Sequence, residues 1–206
     1  MCRRFLRAIL YLSITATSAA ALAAPERHET QKIAAGAWRG GSFAFPDGSF
    51  AHCAIGIYHG STIFVFYLGR DYAFEIGLSD TGWRLAKGQD MTLRLELDGQ
   101  ALTVWARAAA AHHFNVGLPV NEEMFRRLKA ARELSLFGEQ HPLTFHLQGT
   151  AAALDVLRAC VHRGVGVSDD ATDPLSAPPD PAAPPPAPSG PWGVPTSRGF
   201  ETWQFS

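Results

Sequence analysis

Three closely spaced segments rich in aromatic and β-branched residues constrain the fold most. They run from Phe50 to Tyr58, from Ser61 to Leu68 and from Asp71 to Leu78, and glycine or polar residues separate them. Such segments are typical of β-strands joined by short turns. The middle segment is apolar at every position from Ile63 to Leu68, so both of its faces must be covered. We therefore expect this strand to lie in the centre of a sheet.

The pattern of residues 91–107 predicts a β-hairpin with one face exposed to solvent. Apolar and polar residues alternate from Met91 to Asp98, which is the pattern of a half-buried strand. Asp98–Gly99 suits a two-residue hairpin turn, and Ala101 to Arg107 would form the returning strand. We expect the remaining strands at His113–Leu118, Leu134–Phe137 and Leu143–Leu147.

Two short helices complete the predicted domain. Asn121 is a suitable N-cap for the first helix, and Thr150 is the expected cap of the second. Helical spacing gives each an apolar side, made of Met124, Phe125, Leu128 and Ala131 in the first and of Leu154, Leu157 and Val161 in the second. The sequence therefore predicts a single α+β domain, an antiparallel β-sandwich or curled sheet with two short helices packed on it.

The beginning of the chain has the pattern of a secretory signal peptide over residues 1–23. Three arginines, Arg3, Arg4 and Arg7, precede an apolar stretch, and Ala21-Leu22-Ala23 fits a cleavage site that leaves Ala24 as the mature N-terminus. The alternative is an uncleaved anchor. Four Ser and Thr residues interrupt the apolar stretch, which makes it a poor spanning helix.

The rest of the chain divides into three predicted parts. We expect an N-terminal linker at 24–35, a β-rich globular domain at 36–165 and a disordered Pro/Ala-rich tail at 166–206. The tail ends in an aromatic segment with Phe200, Trp203 and Phe205. This segment is either a frayed terminus or a short peptide that docks on its own domain or on a partner.

The charge balance excludes a generally basic, phosphate-seeking surface. The chain has 18 basic and 19 acidic residues, a net charge of −1. Loss of Arg3, Arg4 and Arg7 with the signal peptide lowers the basic count to 15 and gives a mature net charge of about −4. We therefore expect no nucleic-acid partner and, after cleavage, no stable transmembrane segment.

Two cysteines, Cys53 and Cys160, remain in the mature chain. A disulfide is the default for a lone pair in an oxidising compartment, and it would tie the last helix to an early strand. The alternatives are two separate buried thiols or a redox-active pair. Active pairs are usually close in sequence, unlike these two.

Motifs for catalysis or metal binding are missing from the sequence. The eight histidines contain no HExxH arrangement, and adjacent pairs such as His52-Cys53 and His112-His113 point to opposite faces of a strand. The sequence also lacks GxSxG, CxxC and a cofactor fingerprint. We therefore assign no catalytic residues, no metal ligands and no cofactor. Exposed or hydrogen-bonded histidines are the expected case.

Three segments together carry a family resemblance. They are AHCAIGI from Ala51 to Ile57, LELDGQAL from Leu95 to Leu102, and FHLQGTAAALDVLRAC from Phe145 to Cys160. Over residues 36–162 the chain resembles uncharacterised exported (periplasmic) proteins of alphaproteobacteria and, more distantly, the invasion-associated locus B group of secreted β-rich proteins. This resemblance implies an exported domain without known catalytic residues, so no site residue is carried over.

These observations favour a periplasmic or secreted, non-enzymatic binding domain of unknown ligand, with an envelope protein or peptidoglycan as its expected partner. Trp83 and Trp105 are candidates for the binding surface, because Trp is enriched at binding hot spots. Core packing is the simpler expectation for both tryptophans. A periplasmic enzyme of unrecognised type and an envelope-associated structural protein are the alternative functions.

Overall fold

The computed structural model describes residues 27–138 and 142–166. The order of elements along this part of the chain is β1 (His28–Ala35), β2 (Trp38–Ala44), β3 (Phe50–His59), β4 (Thr62–Gly69), β5 (Phe74–Ser79), β6 (Asp90–Leu97), β7 (Gln100–Ala110), β8 (His113–Leu118), α1 (Glu122–Ala130), β9 (Glu133–Phe137), β10 (Leu143–His146) and α2 (Thr150–Val165).

The strands described form one antiparallel sheet of ten, in the order β1-β2-β3-β4-β5-β8-β7-β6-β9-β10. The predicted α+β class is confirmed. The expected central position of the segment from Ile63 to Leu68 is also confirmed, because β4 is the fourth strand and pairs with β3 and β5. Asp98 and Gly99 have positive φ angles of 45° and 82° and form the predicted hairpin turn between β6 and β7.

The sheet curls until strands distant in its order meet. Phe64 on β4 and Phe145 on β10 lie six places apart in the sheet, yet their ring centroids are 4.9 Å apart. Trp38 on β2 donates from its indole Nε1 to the carbonyl oxygen of Gln148, just after β10, at 3.1 Å. The curled-sheet form of the prediction therefore holds, and its concave side encloses the main core.

Helix α2 closes this core. Its buried side chains include Leu154, Leu157 and Val161, and the helix packs against β1 to β4 and against α1. Cys160 on α2 forms a disulfide with Cys53 on β3, so the pairing expected from the sequence is present. Helix α1 begins as predicted, because the side chain of Asn121 accepts a hydrogen bond from the backbone N–H of Met124 at 2.8 Å.

Two expectations from the sequence are wrong in detail. Residues 24–35 were expected to form a linker, but His28–Ala35 is the edge strand β1, paired with β2. An edge strand has one partner and little apolar burial, and only Ile33 and Ala35 of β1 are buried. The second correction concerns the cap of α2, which is Gly149 in the left-handed conformation (φ 79°) rather than Thr150.

Candidate functional site

The side of the sheet turned away from the helices, called here the outer face, carries the most exposed aromatic side chain among the described residues. On β7 the side chains of Val104 and Ala106 enter the core, each at 3% exposure. Because successive side chains of a strand point to opposite sides, Trp105 between them points outward. Its side chain is 64% exposed.

The strand register places hydroxyl groups and ion pairs around this indole. Trp105 lies opposite Thr92 on β6, and Arg107 lies opposite Asp90 on the same strand. Thr103, two positions before Trp105 on the same face, is exposed and lies opposite Arg94. The Trp105 platform is defined here as Trp105 with Thr92, Thr103, Asp90, Arg94, Glu96 and Arg107.

Both arginines of the Trp105 platform are paired with carboxylates. Arg107 donates two hydrogen bonds to Asp90, from Nε to Oδ1 at 2.7 Å and from its terminal nitrogen to Oδ2 at 2.9 Å. Arg94 pairs with Glu96, and its guanidinium lies 4.1 Å from the ring centroid of Phe137 on β9. A planar guanidinium group has a preferred orientation when it pairs with a carboxylate or stacks on an aromatic ring.

The charges of the platform are therefore balanced. The hydrogen bond from Arg107 lowers the pKa of Asp90, and the same hydrogen bond raises the pKa of Arg107. Both groups stay ionised across the ordinary pH range. The platform contains two positive and two negative side chains in two ion pairs, so it carries no excess of either charge.

A second polar group on the outer face is partly buried: two of its residues, Ser79 and His113, are buried, and the other two, Glu75 and Asn115, are half-buried. The Glu75 cluster comprises Ser79 and Glu75 on β5 and His113 and Asn115 on β8. Ser79 lies opposite His113, and Gly77 lies opposite Asn115. The side chain of Asn115 affects the pKa of both titratable groups, because it acts to lower the pKa of Glu75 and to raise that of His113.

Burial controls the titration of the Glu75 cluster. Removal from water raises the pKa of Glu75 to about 7, although the positive charge of Arg27 and the hydrogen bond from Asn115 act in the other direction. Burial lowers the pKa of His113 to about 4, so its imidazole is neutral at pH 7. On the neighbouring strand β3, burial also lowers the pKa of His52 to about 3, and its ring stacks on Phe43 at 4.9 Å.

Ser79 and His113 have the pairing of a nucleophile and a base, with Ser79 Oγ 2.6 Å from His113 Nδ1. The two side chains are only 8% and 2% exposed. They also face each other directly across neighbouring strands, where such hydrogen bonds stabilise a sheet. This arrangement supports a structural hydrogen bond better than an attack on a substrate. The sequence offered no sign of the pair, because 34 positions separate the two residues.

The second tryptophan predicted for the binding surface, Trp83, lies apart from the Trp105 platform. Trp83 is half-buried against the main core, and its ring lies 5.1 Å from that of Phe114. Core packing is thus the right description of Trp83 and the wrong one for Trp105, which is exposed because it occupies an outward position of β7. Phe200, Trp203 and Phe205 lie outside the described residues, as does the predicted signal peptide.

In residues 27–138 and 142–166, no three His, Cys, Asp or Glu side chains come together in a way that could hold a metal ion. Within the same ranges, neither helix has the length and apolar character required to cross a membrane.

Comparisons with known proteins give a distant structural likeness. No protein-family model matches the chain, and no curated protein matches it. Among solved structures, the chain is similar to the crystal structure of invasion associated protein B from Bartonella henselae. The match has 18% sequence identity and a TM-score of 0.48, and it covers 63% of this chain and 96% of that one. This is a distant structural relationship, and nothing about family or function follows from it.

Proposed function

We propose that this chain is an exported, non-enzymatic binding domain that contacts an envelope partner through the Trp105 platform. The observation that carries the proposal is the 64% exposure of Trp105 on a sheet face whose neighbouring side chains are held by paired charges. Exposed tryptophan loses few rotamers on binding and offers a large apolar surface, which is why it is enriched at hot spots.

The position of Trp105 within a hydrogen-bonded sheet supports this proposal. Trp105 lies on a strand with hydrogen-bonded neighbours on both sides, β6 and β8. The disulfide between Cys53 and Cys160 fixes α2 against the concave side of the same sheet. A binding surface held in place before contact loses little entropy when its partner arrives.

Export is supported by two independent features. Residues 1–23 have the pattern of a secretory signal peptide, and the described part of the chain contains a disulfide. Disulfides form and persist in oxidising compartments such as the bacterial periplasm. A periplasmic or secreted location is therefore part of the proposal.

Co-sedimentation tests the proposal. Mature protein beginning at Ala24 is incubated with a purified, washed envelope fraction, and its affinity is compared with that of Trp105→Ala. Tyr58→Ala is the matched control, because Tyr58 is a 49% exposed aromatic residue on the same face. It lies on β3, four strands from β7 and therefore about 19 Å away across the sheet.

We expect Trp105→Ala to weaken envelope binding at least about tenfold and Tyr58→Ala to leave it unchanged. Equal binding by all three proteins would contradict the proposal. A variant that ends before Pro174 addresses the alternative of an envelope-associated structural protein. Loss of envelope binding in that variant, with Trp105→Ala unaffected, would favour this alternative.

A further inference from the structure

We infer that the ligand of the Trp105 platform is a neutral glycan, an inference that rests on the proposed function and names its ligand class. Three properties of the platform point to this chemistry. They are an exposed indole, a rim that both donates and accepts hydrogen bonds, and balanced charges.

The indole matches the apolar side of a sugar ring. A pyranose presents several C–H bonds on one face, and their hydrogens carry a partial positive charge. The face of an aromatic ring carries the negative part of its quadrupole, so the two surfaces attract each other. Trp105 can offer such a surface, because it projects from the middle of β7 and is 64% exposed.

The rim matches the hydroxyl groups of a sugar. Each hydroxyl donates one hydrogen bond and accepts two, so its site needs both kinds of partner. Thr92 and Thr103 supply hydroxyls on two sides of the indole. Asp90 and Arg107 supply acceptor and donor groups that are already held in one orientation by their two mutual hydrogen bonds.

The balanced charge of the Trp105 platform favours a neutral glycan over charged or lipid ligands. An anionic polymer would gain most from unpaired cations, but Arg94 and Arg107 are each paired with a carboxylate. A lipid surface would require a broad apolar patch, whereas the residues around Trp105 on β6 and β7 are Thr, Arg, Asp and Glu. A protein surface is the remaining competitor and becomes an outcome of the test.

The test divides the nuclease-treated envelope fraction into three portions. One portion is untreated, one is digested exhaustively with a broad protease, and one is extracted with organic solvent to remove lipid. Binding of the mature protein and of Trp105→Ala to each portion is measured by co-sedimentation. The untreated portion is also measured from about 50 mM to about 500 mM NaCl, over which exposed charge–charge attraction is strongly screened.

A neutral glycan is supported if the affinity of Trp105-dependent binding changes by less than about twofold in three conditions. These conditions are protease digestion, lipid extraction and high salt. A loss of tenfold or more after protease or after extraction overturns it in favour of a protein or a lipid. An equal loss at high salt overturns it in favour of an anionic polymer. In these last cases the proposed function stands, whereas absence of Trp105-dependent binding to the untreated portion contradicts both.

Discussion

The cross-link between Cys53 and Cys160 should supply a large share of the domain's stability. The two residues are 107 positions apart, and both are buried in the main core, at 0% and 2% exposure. One lies on β3 in the curled sheet and the other on α2, the helix that closes the concave side. Reducing the bond removes the restriction that it places on the unfolded chain. It does so without removing any side chain from the folded domain.

The expected magnitude follows from the length of chain that the bond closes. For a loop of about 107 residues, the chain-entropy relation gives about 5 kcal/mol near room temperature. A domain of this size has a total unfolding free energy of about 5 to 15 kcal/mol, so the bond should account for about a third of it or more. With a urea m-value of about 2 kcal/mol per M, the unfolding midpoint should fall by about 2.5 M.

Urea unfolding of the oxidised and reduced mature protein measures this difference, with tryptophan fluorescence as the readout. Cys53→Ala/Cys160→Ala serves as the second comparison. It removes two buried sulfur atoms as well as the bond, so it should be less stable than the reduced protein by about 1 kcal/mol or more. A reduced protein within about 1 kcal/mol of the oxidised one would refute the reasoning, because the bond would then restrict little of the unfolded chain.

Three further predictions concern single side chains, each measured by urea unfolding. Burial raises the pKa of Glu75 from 4.5 to about 7, so its contribution to stability is complete below about pH 4.5 and is lost as pH rises to 7. Glu75→Gln should remove this loss, worth up to about 3 kcal/mol, and an unchanged pH slope between about pH 5 and pH 7 would contradict the assignment. Asn121→Ala should cost about 1 kcal/mol because the N–H of Met124 loses its acceptor, whereas Asn121→Asp should preserve stability. Gly77→Ala should cost about 1 to 3 kcal/mol, because the added Cβ would lie 2.4 Å from the ring of Tyr67, and wild-type stability would show that this ring moves freely.

Local patterns predicted most of the elements because each pattern reports the surroundings of its own strand or helix. The apolar run from Ile63 to Leu68 required cover on both faces, and the structure places it in the middle of the sheet. The cap at Asn121 depends on residues three positions apart, so it was also predictable. Strands β1 and β2 were both missed. Strand β1 is an edge strand that is mostly exposed, so it lacks the alternation that marks a half-buried strand.

The candidate site could not be predicted because it depends on strand order. Strand β5 pairs with β8, so Ser79 meets His113 across 34 positions of sequence. The pairing of Asp90 with Arg107 follows from the β6–β7 hairpin, but its place beside an exposed indole depends on which side of the sheet the helices cover. Alternation along β7 shows that Trp105 and Val104 face opposite sides without showing which side is the core.

The proposed binding surface is tested most directly by the envelope affinities of Trp105→Ala and Tyr58→Ala, each measured relative to the wild-type mature protein. Both changes remove an exposed aromatic side chain from the same sheet, so general effects on solubility or stability should be alike. We expect a loss of at least about tenfold for Trp105→Ala and no loss for Tyr58→Ala. Equal affinities of the two variants would contradict a binding surface centred on Trp105.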